Sequence, residues 1–295
     1  MRVAEHWVRQ GIDGWRLDVP AEIKAGGFWE EFRRRVKAIN PEAYIVGEIW
    51  GEAKEYLRGN RFDGVMNYLF AGAALTFAGR GRNNPLLTEG KGYDPITPLE
   101  ARSYADRVDH LLELYPWEIT QTQLNLLDSH DTARAITLAG GDPNTVQLAT
   151  LLLMTFPGAP SIYYGDEIGL EGGVPDSDAR RTFPWDRPSL WRHEVLAYHR
   201  DLIALRRAHP ALRRGTYHRL YAAGQVYVCG RRLANDVLLI AVNSAESGQT
   251  VEVPVENLFP DGAMLKALYG EGGGQVAGGQ VTLAVPARKG MVLGA

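Results

Sequence analysis

The sequence predicts an α/β fold of the (β/α)8 TIM-barrel type, with five of its eight units present, followed by an all-β antiparallel sandwich. Short apolar stretches alternate with helix-spaced ones five times. Polar residues fall at the carboxyl ends of several of those stretches, which is where such barrels carry their chemistry. After Pro210 the texture changes to short alternating segments broken by Gly224, Asn235-Asp236, Ser247-Gly248 and a glycine-rich 270–279 loop. The division is therefore 1–210 for the partial barrel and 211–295 for the sandwich. No phosphate-binding glycine fingerprint follows any strand, which sets a doubly wound nucleotide-binding sheet aside.

In chain order, Val3, Trp7 and Val8 mark the last turns of an amphipathic helix leading into a buried strand at 12–18. Phe28, Phe32, Val36 and Ile39 recur at helical spacing, with Pro41 just past the end. Residues 43–48 form a continuous apolar strand of the kind buried on both faces of a parallel sheet. A short helix over 52–57 and a strand over 62–68 follow. Residues 71–100, rich in Gly, Asn, Pro and Thr, read as a long irregular excursion. A helix over 101–115, a strand over 123–127, a helix from Pro143 to Met154, a strand over 160–165 and a helix over 189–208 complete the series. The sandwich strands are expected at 216–221, 225–232, 236–243, 249–255, 263–269 and 280–293.

A formal charge of −3 points to neither nucleic acid nor an anionic membrane as partner. Arg33-Arg34-Arg35 and Arg206-Arg207 sit in helical segments and read as solvated faces or snorkelling stems. No apolar run could span a bilayer, and residues 1–10 lack the apolar centre of a signal peptide, so a cytoplasmic location is expected. The single cysteine, Cys229, lies in an alternating strand and reads as a small buried hydrophobe.

Three strand ends carry carboxylates: Asp18, Glu48 and Asp131. Arg16 and Asp18 share a strand face, and a fixed guanidinium keeps a neighbouring carboxylate ionised. Asp18 and Glu48 are one βα unit apart, so their strands should be neighbours, about 4.8 Å apart. That matches the roughly 5–5.5 Å carboxyl separation of glycoside cleavage with retention, in which one group attacks and the other protonates. Asp18 is then the nucleophile, and Glu48, among apolar neighbours, the general acid. Asp131, with His130, would grip hydroxyls beside the reacting carbon. Each acid alone fits a surface or ion-paired role equally well. Three at successive strand ends, beside Arg, Trp and His, do not.

Gly14-Trp15-Arg16-Leu17-Asp18-Val19, Val46-Gly47-Glu48-Ile49-Trp50 and Leu127-Asp128-Ser129-His130-Asp131-Thr132 resemble three signature motifs of the alpha-amylase family of glycoside hydrolases (family 13). Residues 57–59, 62–68, 160–169 and 180–186 resemble its neopullulanase, cyclomaltodextrinase and maltogenic amylase branch. The resemblance implies Asp18 as nucleophile, Glu48 as acid/base and Asp131 as transition-state stabiliser, with Arg16 and His130 on the sugar at the cleaved bond. It implies Asp176 and Arg180 as further donor-side contacts, a loop-stabilising ion pair being the other reading. It puts Glu22 on the acceptor side, although solvent exposure alone explains an acid there. Trp50 and Tyr164 would stack on sugars or serve packing; Asp166 and Glu167 are structural.

The family's first signature, an aspartate followed by Asn-His, has no counterpart here, nor do the first three βα units, so the strands correspond to four through eight. The chain is accordingly expected to be the C-terminal part of a longer enzyme, with little activity alone and a homodimer in the full-length form. The implied substrate is an α-1,4-glucan (maltodextrin, cyclodextrin or pullulan), with transglycosylation as a side reaction. No cofactor is expected; calcium occurs in the family, but its usual ligands fall partly in the absent section, so no metal is predicted. A non-catalytic amylase-like binding or assembly protein, and a glucanotransferase or isomerase of the same family, are the alternatives.

Overall fold

The computed structural model describes residues 1–89 and 98–295. Its first half is a parallel sheet in the order β1-β2-β3-β4-β5, the sequence order itself. The strands are β1 (Gly14–Leu17), β2 (Tyr44–Gly47), β3 (Gly64–Asn67), β4 (Leu124–Asn125) and β5 (Ala159–Pro160). Around them lie α1 (Arg2–Arg9), α2 (Phe28–Ile39), α3 (Tyr68–Gly79), α4 (Ala101–Glu113), α5 (Trp117–Thr120), α6 (Ala135–Leu138), α7 (Pro143–Thr155), α8 (Asp176–Ala179), α9 (His193–Ala208) and α10 (Pro210–Arg214). Strands joined through helices and paired in chain order are how a barrel wall is built.

Local chemistry explains the main helices. Trp29, Phe32 and Val36 bury one stripe of α2. Asp142 caps α7, accepting from the Asn144 and Thr145 N–H groups at 3.1 and 3.3 Å, and Pro143 takes the first helical position. At Gly14, a Cβ would meet the Tyr44 carbonyl oxygen at 2.1 Å, so only glycine lets β1 lie this close to β2.

Several expectations need correction. Residues 68–79 form α3, almost wholly buried, where the sequence reading has an irregular excursion from 71; residues 90–97 of that excursion lie outside the described residues. Residues 52–57 form turns rather than a helix. The 189–208 helix starts at His193, after a 3₁₀ turn at Pro188–Leu190. Arg206 is no solvated stem. It is buried and donates to the carbonyls of Met154, Phe156, Gly158 and Leu212, satisfying backbone at the end of α7. Nor is the Arg33-Arg34-Arg35 run merely solvated: Arg33 pairs with Asp63 at 2.7 Å, and Arg34 and Arg35 both reach Glu31.

The second half is antiparallel. β6 (Thr216–Ala223), β7 (Val226–Leu233), β8 (Asp236–Asn243), β10 (Met264–Tyr269), β11 (Gly273–Gln275) and β13 (Lys289–Gly294) form one sheet in the order β11-β10-β13-β8-β7-β6. β9 (Gln249–Pro254) pairs with β12 (Gln280–Val285) as a second, two-stranded sheet. The expected 280–293 strand is thus two strands, and the glycine-rich loop contains a third. Val253, Leu283, Val281, Leu239 and Leu293 fill the space between the sheets. The opposite face of the larger sheet (Tyr227, Cys229, Ile240, Val242, Val292) shares one core with Phe77, Tyr104, Leu151 and Leu202 of the helices. Burial there pushes the Cys229 thiol up to about 11, the behaviour of a buried hydrophobe.

Candidate active site

β1 and β2 run parallel with Arg16 opposite Val46 and Leu17 opposite Gly47, and the Glu48 N–H donates to the Leu17 carbonyl at 2.9 Å. Asp18 and Glu48 each follow the last paired residue of their strand, so they leave the sheet side by side at its carboxyl end. Arg16 touches both. Its Nη1 is 2.6 Å from Asp18 Oδ1 and its Nη2 is 3.0 Å from Glu48 Oε1. The planar guanidinium fork suits two carboxylates held in one place. Asp18 has 77% of its side chain exposed, whereas Glu48 keeps 3%. The second Glu48 oxygen accepts the Val19 N–H at 3.2 Å.

Val19 has φ 32 and ψ 52, the left-handed region, which a β-branched side chain occupies only under constraint. Its N–H is held by Glu48 and its carbonyl accepts from Glu22 N at 3.0 Å. The turn that carries Asp18 is therefore strained and fastened to the neighbouring strand.

Asp131 arrives from the loop after β4. The Ser129 N–H donates to Thr132 Oγ1 at 2.8 Å, and the Asp131 N–H donates to Ser129 Oγ at 3.2 Å. The same Oγ receives the Tyr68 hydroxyl at 2.8 Å. Tyr68, the first residue of α3, stacks on Trp50 with centroids 3.9 Å apart and planes 4° from parallel. Burial, together with the fields of Glu48 and Asp131, pushes the Tyr68 phenol up to about 12, so it stays a neutral donor. Tyr68 thus spans the floor between the β2-end and β4-end carboxylates. Sequence reasoning missed it, because it closes an apolar run that reads as the tail of a strand.

Asp131 is gripped from two sides. His130 Nε2 lies 3.0 Å from its Oδ2, and Arg180 Nη2 lies 2.7 Å from its Oδ1. Arg180 also donates from Nε to the His130 carbonyl at 2.7 Å and stands 3.5 Å from Asp176. Arg180 and Asp176 do form a loop ion pair, yet the shorter contact is to Asp131. No spacing in the sequence points to that contact.

The remaining candidates are placed as follows. Glu22 is exposed on the 3₁₀ turn Pro20–Glu22. Trp50 spends one face on Tyr68. Tyr164 is half exposed, donates its hydroxyl to the Arg181 carbonyl at 2.7 Å and has the Arg134 guanidinium 4.6 Å from its ring centroid. Among the described residues no group of three or more His, Cys, Asp or Glu side chains is arranged to hold a metal ion. A cavity of about 440 Å³ lies away from the three carboxylates, between α7, α9 and the sandwich, lined by Gln147, Tyr198, Tyr269 and Lys289.

Residues 1–187 match the family model described as alpha amylase, catalytic domain, and residues 215–293 match alpha-amylase C-terminal domain. A cyclomaltodextrinase of Geobacillus thermopakistaniensis is 41% identical over 257 residues, covering 86% of this chain and 40% of that protein. Neopullulanase 2 of Thermoactinomyces vulgaris is 38% identical over 295 residues, covering 99% of this chain and 46% of that protein. The native form of the Nostoc punctiforme debranching enzyme superposes with a TM-score of 0.94 at 52% identity, covering 100% of this chain and 60% of that one. The chain spans less than half the length of these two curated relatives.

Proposed function

The chain belongs to the alpha-amylase family, and from that premise we propose that it carries the catalytic carboxylates of a retaining glycosidase acting on α-1,4-glucans. The observation that carries the reading is the single guanidinium of Arg16 in contact with both Asp18 and Glu48 at adjacent strand ends. Adjacent parallel strands, about 4.8 Å apart, suit the roughly 5–5.5 Å separation of a retaining pair, which supports retention over inversion. The names of the relatives support an α-glucan substrate, and the debranching relative supports α-1,6 links as a second bond type.

In this reading the Asp18 carboxylate attacks the anomeric carbon while protonated Glu48 gives its proton to the glycosidic oxygen, which leaves with the bonding pair. Glu48, now a carboxylate, takes a proton from water; the hydroxyl adds to the anomeric carbon and Asp18 departs from the glycosyl ester. Asp131, oriented by His130 and Arg180, accepts hydrogen bonds from sugar hydroxyls as positive charge develops on the ring. Retention of all three acids in one cluster favours catalysis over a binding-only role.

In the native assembly, Asp18→Asn and Glu48→Gln should each lower kcat on maltotriose or cyclodextrin by roughly 10²–10⁴-fold. NMR of the first product should show the α-anomer. Unchanged turnover in both variants, or β-anomer as first product, would refute the assignment.

A further inference from the structure

The cavity of about 440 Å³ between α7, α9 and the sandwich takes no part in the proposed reaction, since none of its lining residues belongs to the carboxylate cluster or to the side chains that grip it. Its volume is that of a small-molecule pocket, and a seam between two packed units is where such pockets form. The seam is fastened from both sides. Arg288, buried just before β13, donates to Asp142 Oδ2 at 2.6 Å and Thr145 Oγ1 at 2.7 Å at the head of α7, and to the Ala78 carbonyl of α3 at 2.6 Å. The walls are thus held before any ligand arrives, which lowers the ordering cost of binding.

One wall is aromatic. Tyr198 of α9 and Tyr269 of β10 meet edge to face, with centroids 5.4 Å apart and planes at 84°. Both rings rest on the common core of the two halves and keep part of their surface open. The chain leaves β10 through Gly270, at φ +75, where a Cβ would meet the Gly290 carbonyl oxygen at 2.8 Å. Glycine there lets the following loop run close over β13 and adds no side chain to the cavity it lines.

The other wall is polar. Among the described residues the side chains of Gln147 and Glu271 have no hydrogen-bond partner, and Lys289 makes one contact, at 3.5 Å, to Asn144 Oδ1. An amide donates and accepts, a carboxylate accepts and an ammonium donates, so the set can meet hydroxyls in either sense. Charge in the lining cancels: Lys289 offsets Glu271, and Arg288 is paired with Asp142 at 2.6 Å. A hydrocarbon would leave the polar wall unmet, and a phosphate would find no surplus positive charge. A ring with apolar C–H faces and a rim of hydroxyls satisfies both walls at once.

We propose that this cavity is a second α-glucan-binding site, separate from the reaction centre, in which a glucosyl ring lies against the Tyr198–Tyr269 corner and bonds through its hydroxyls to Gln147, Glu271 and Lys289. The choice of glucan among sugars rests on the function read above. A polymer anchored here presents its neighbouring segments to the carboxylates at raised local concentration.

The test is ¹⁹F NMR of the native assembly labelled with fluorotyrosine and carrying Glu48→Gln, which spares the sugar. Tyr198→Phe and Tyr269→Phe assign the two signals. Maltotriose should move both signals to saturation, and inorganic phosphate should leave them in place. Gln147→Ala, on a helix position that holds no bond in the fold, should weaken the maltotriose response about fivefold, as loss of one hydrogen bond does. Signals that stay still with maltotriose, signals that move with phosphate instead, or parent affinity in Gln147→Ala each overturn the proposal. The readout is binding at these two rings, so absence of turnover in the chain alone bears on neither reading, and loss of this site leaves the carboxylate assignment to its own variants.

Discussion

Arg16 is the residue on which the two strand-end acids depend. One planar cation serves a nearly exposed carboxylate and a buried one at 2.6 and 3.0 Å, each through a different nitrogen. A lysine carries the same charge at a single point and cannot fork between them. Arg16→Lys should therefore cost at least tenfold in kcat/KM, the equivalent of about 1.4 kcal/mol in transition-state binding. Melting temperature should change by only a few degrees, because the pair lies at a rim. Loss of stability without loss of kcat/KM would make Arg16 a structural residue. The acids themselves were legible in the sequence, since each closes an apolar run whose neighbours mark a strand end. The second grip on Asp131 was not. Arg180 lies 49 residues further along, on a loop whose path depends on buried side chains such as Arg134.

At the scale of elements, α3 shows where pattern reading fails. Its stripe is invisible because there is no stripe: Phe70 through Gly79 are all buried, so no polar face alternates with an apolar one. Alanines and glycines let it sit against α4 and α7, where a large side chain would not fit. Ala74→Leu should therefore destabilise the protein by about 1–3 kcal/mol through overpacking, measurable by urea unfolding. A neutral result would mean that the packing around α3 yields. α2 and α7, in contrast, lie where the sequence puts them, one marked by its half-buried stripe and the other by the Pro143 that opens it; the Asp142 cap shows only in the structure. The parallel strands were found because burial on both faces leaves continuous apolar runs, but their lengths shrink to two residues at β4 and β5, where loops take over.

Across the whole molecule, the helices and the larger antiparallel sheet bury one common core, and that core is rich in phenols. Tyr104, Tyr198, Tyr217 and Tyr227 are pushed well above the usual range by burial. A tyrosine whose folded pKa exceeds its unfolded value of about 10 adds stability that is complete below pH 10 and is lost as pH climbs through the folded value. Stability should fall above pH 10, and an ultraviolet titration should show only part of the 13 tyrosines ionising before cooperative alkaline unfolding. Smooth ionisation of all of them in the folded state would contradict the shared core. The end of α7 is one seam between the two halves: Arg231 of β7 donates to the Thr155 carbonyl, beside the Met154 and Phe156 carbonyls taken by Arg206 of α9, and both arginines are buried. Arg206 belongs to α9 and Arg231 to β7, both made later than the helix they finish. During synthesis, then, the polypeptide passes β5 with the Thr155 carbonyl still without its donor, and that end of the first half's wall is completed only once β7 has been made.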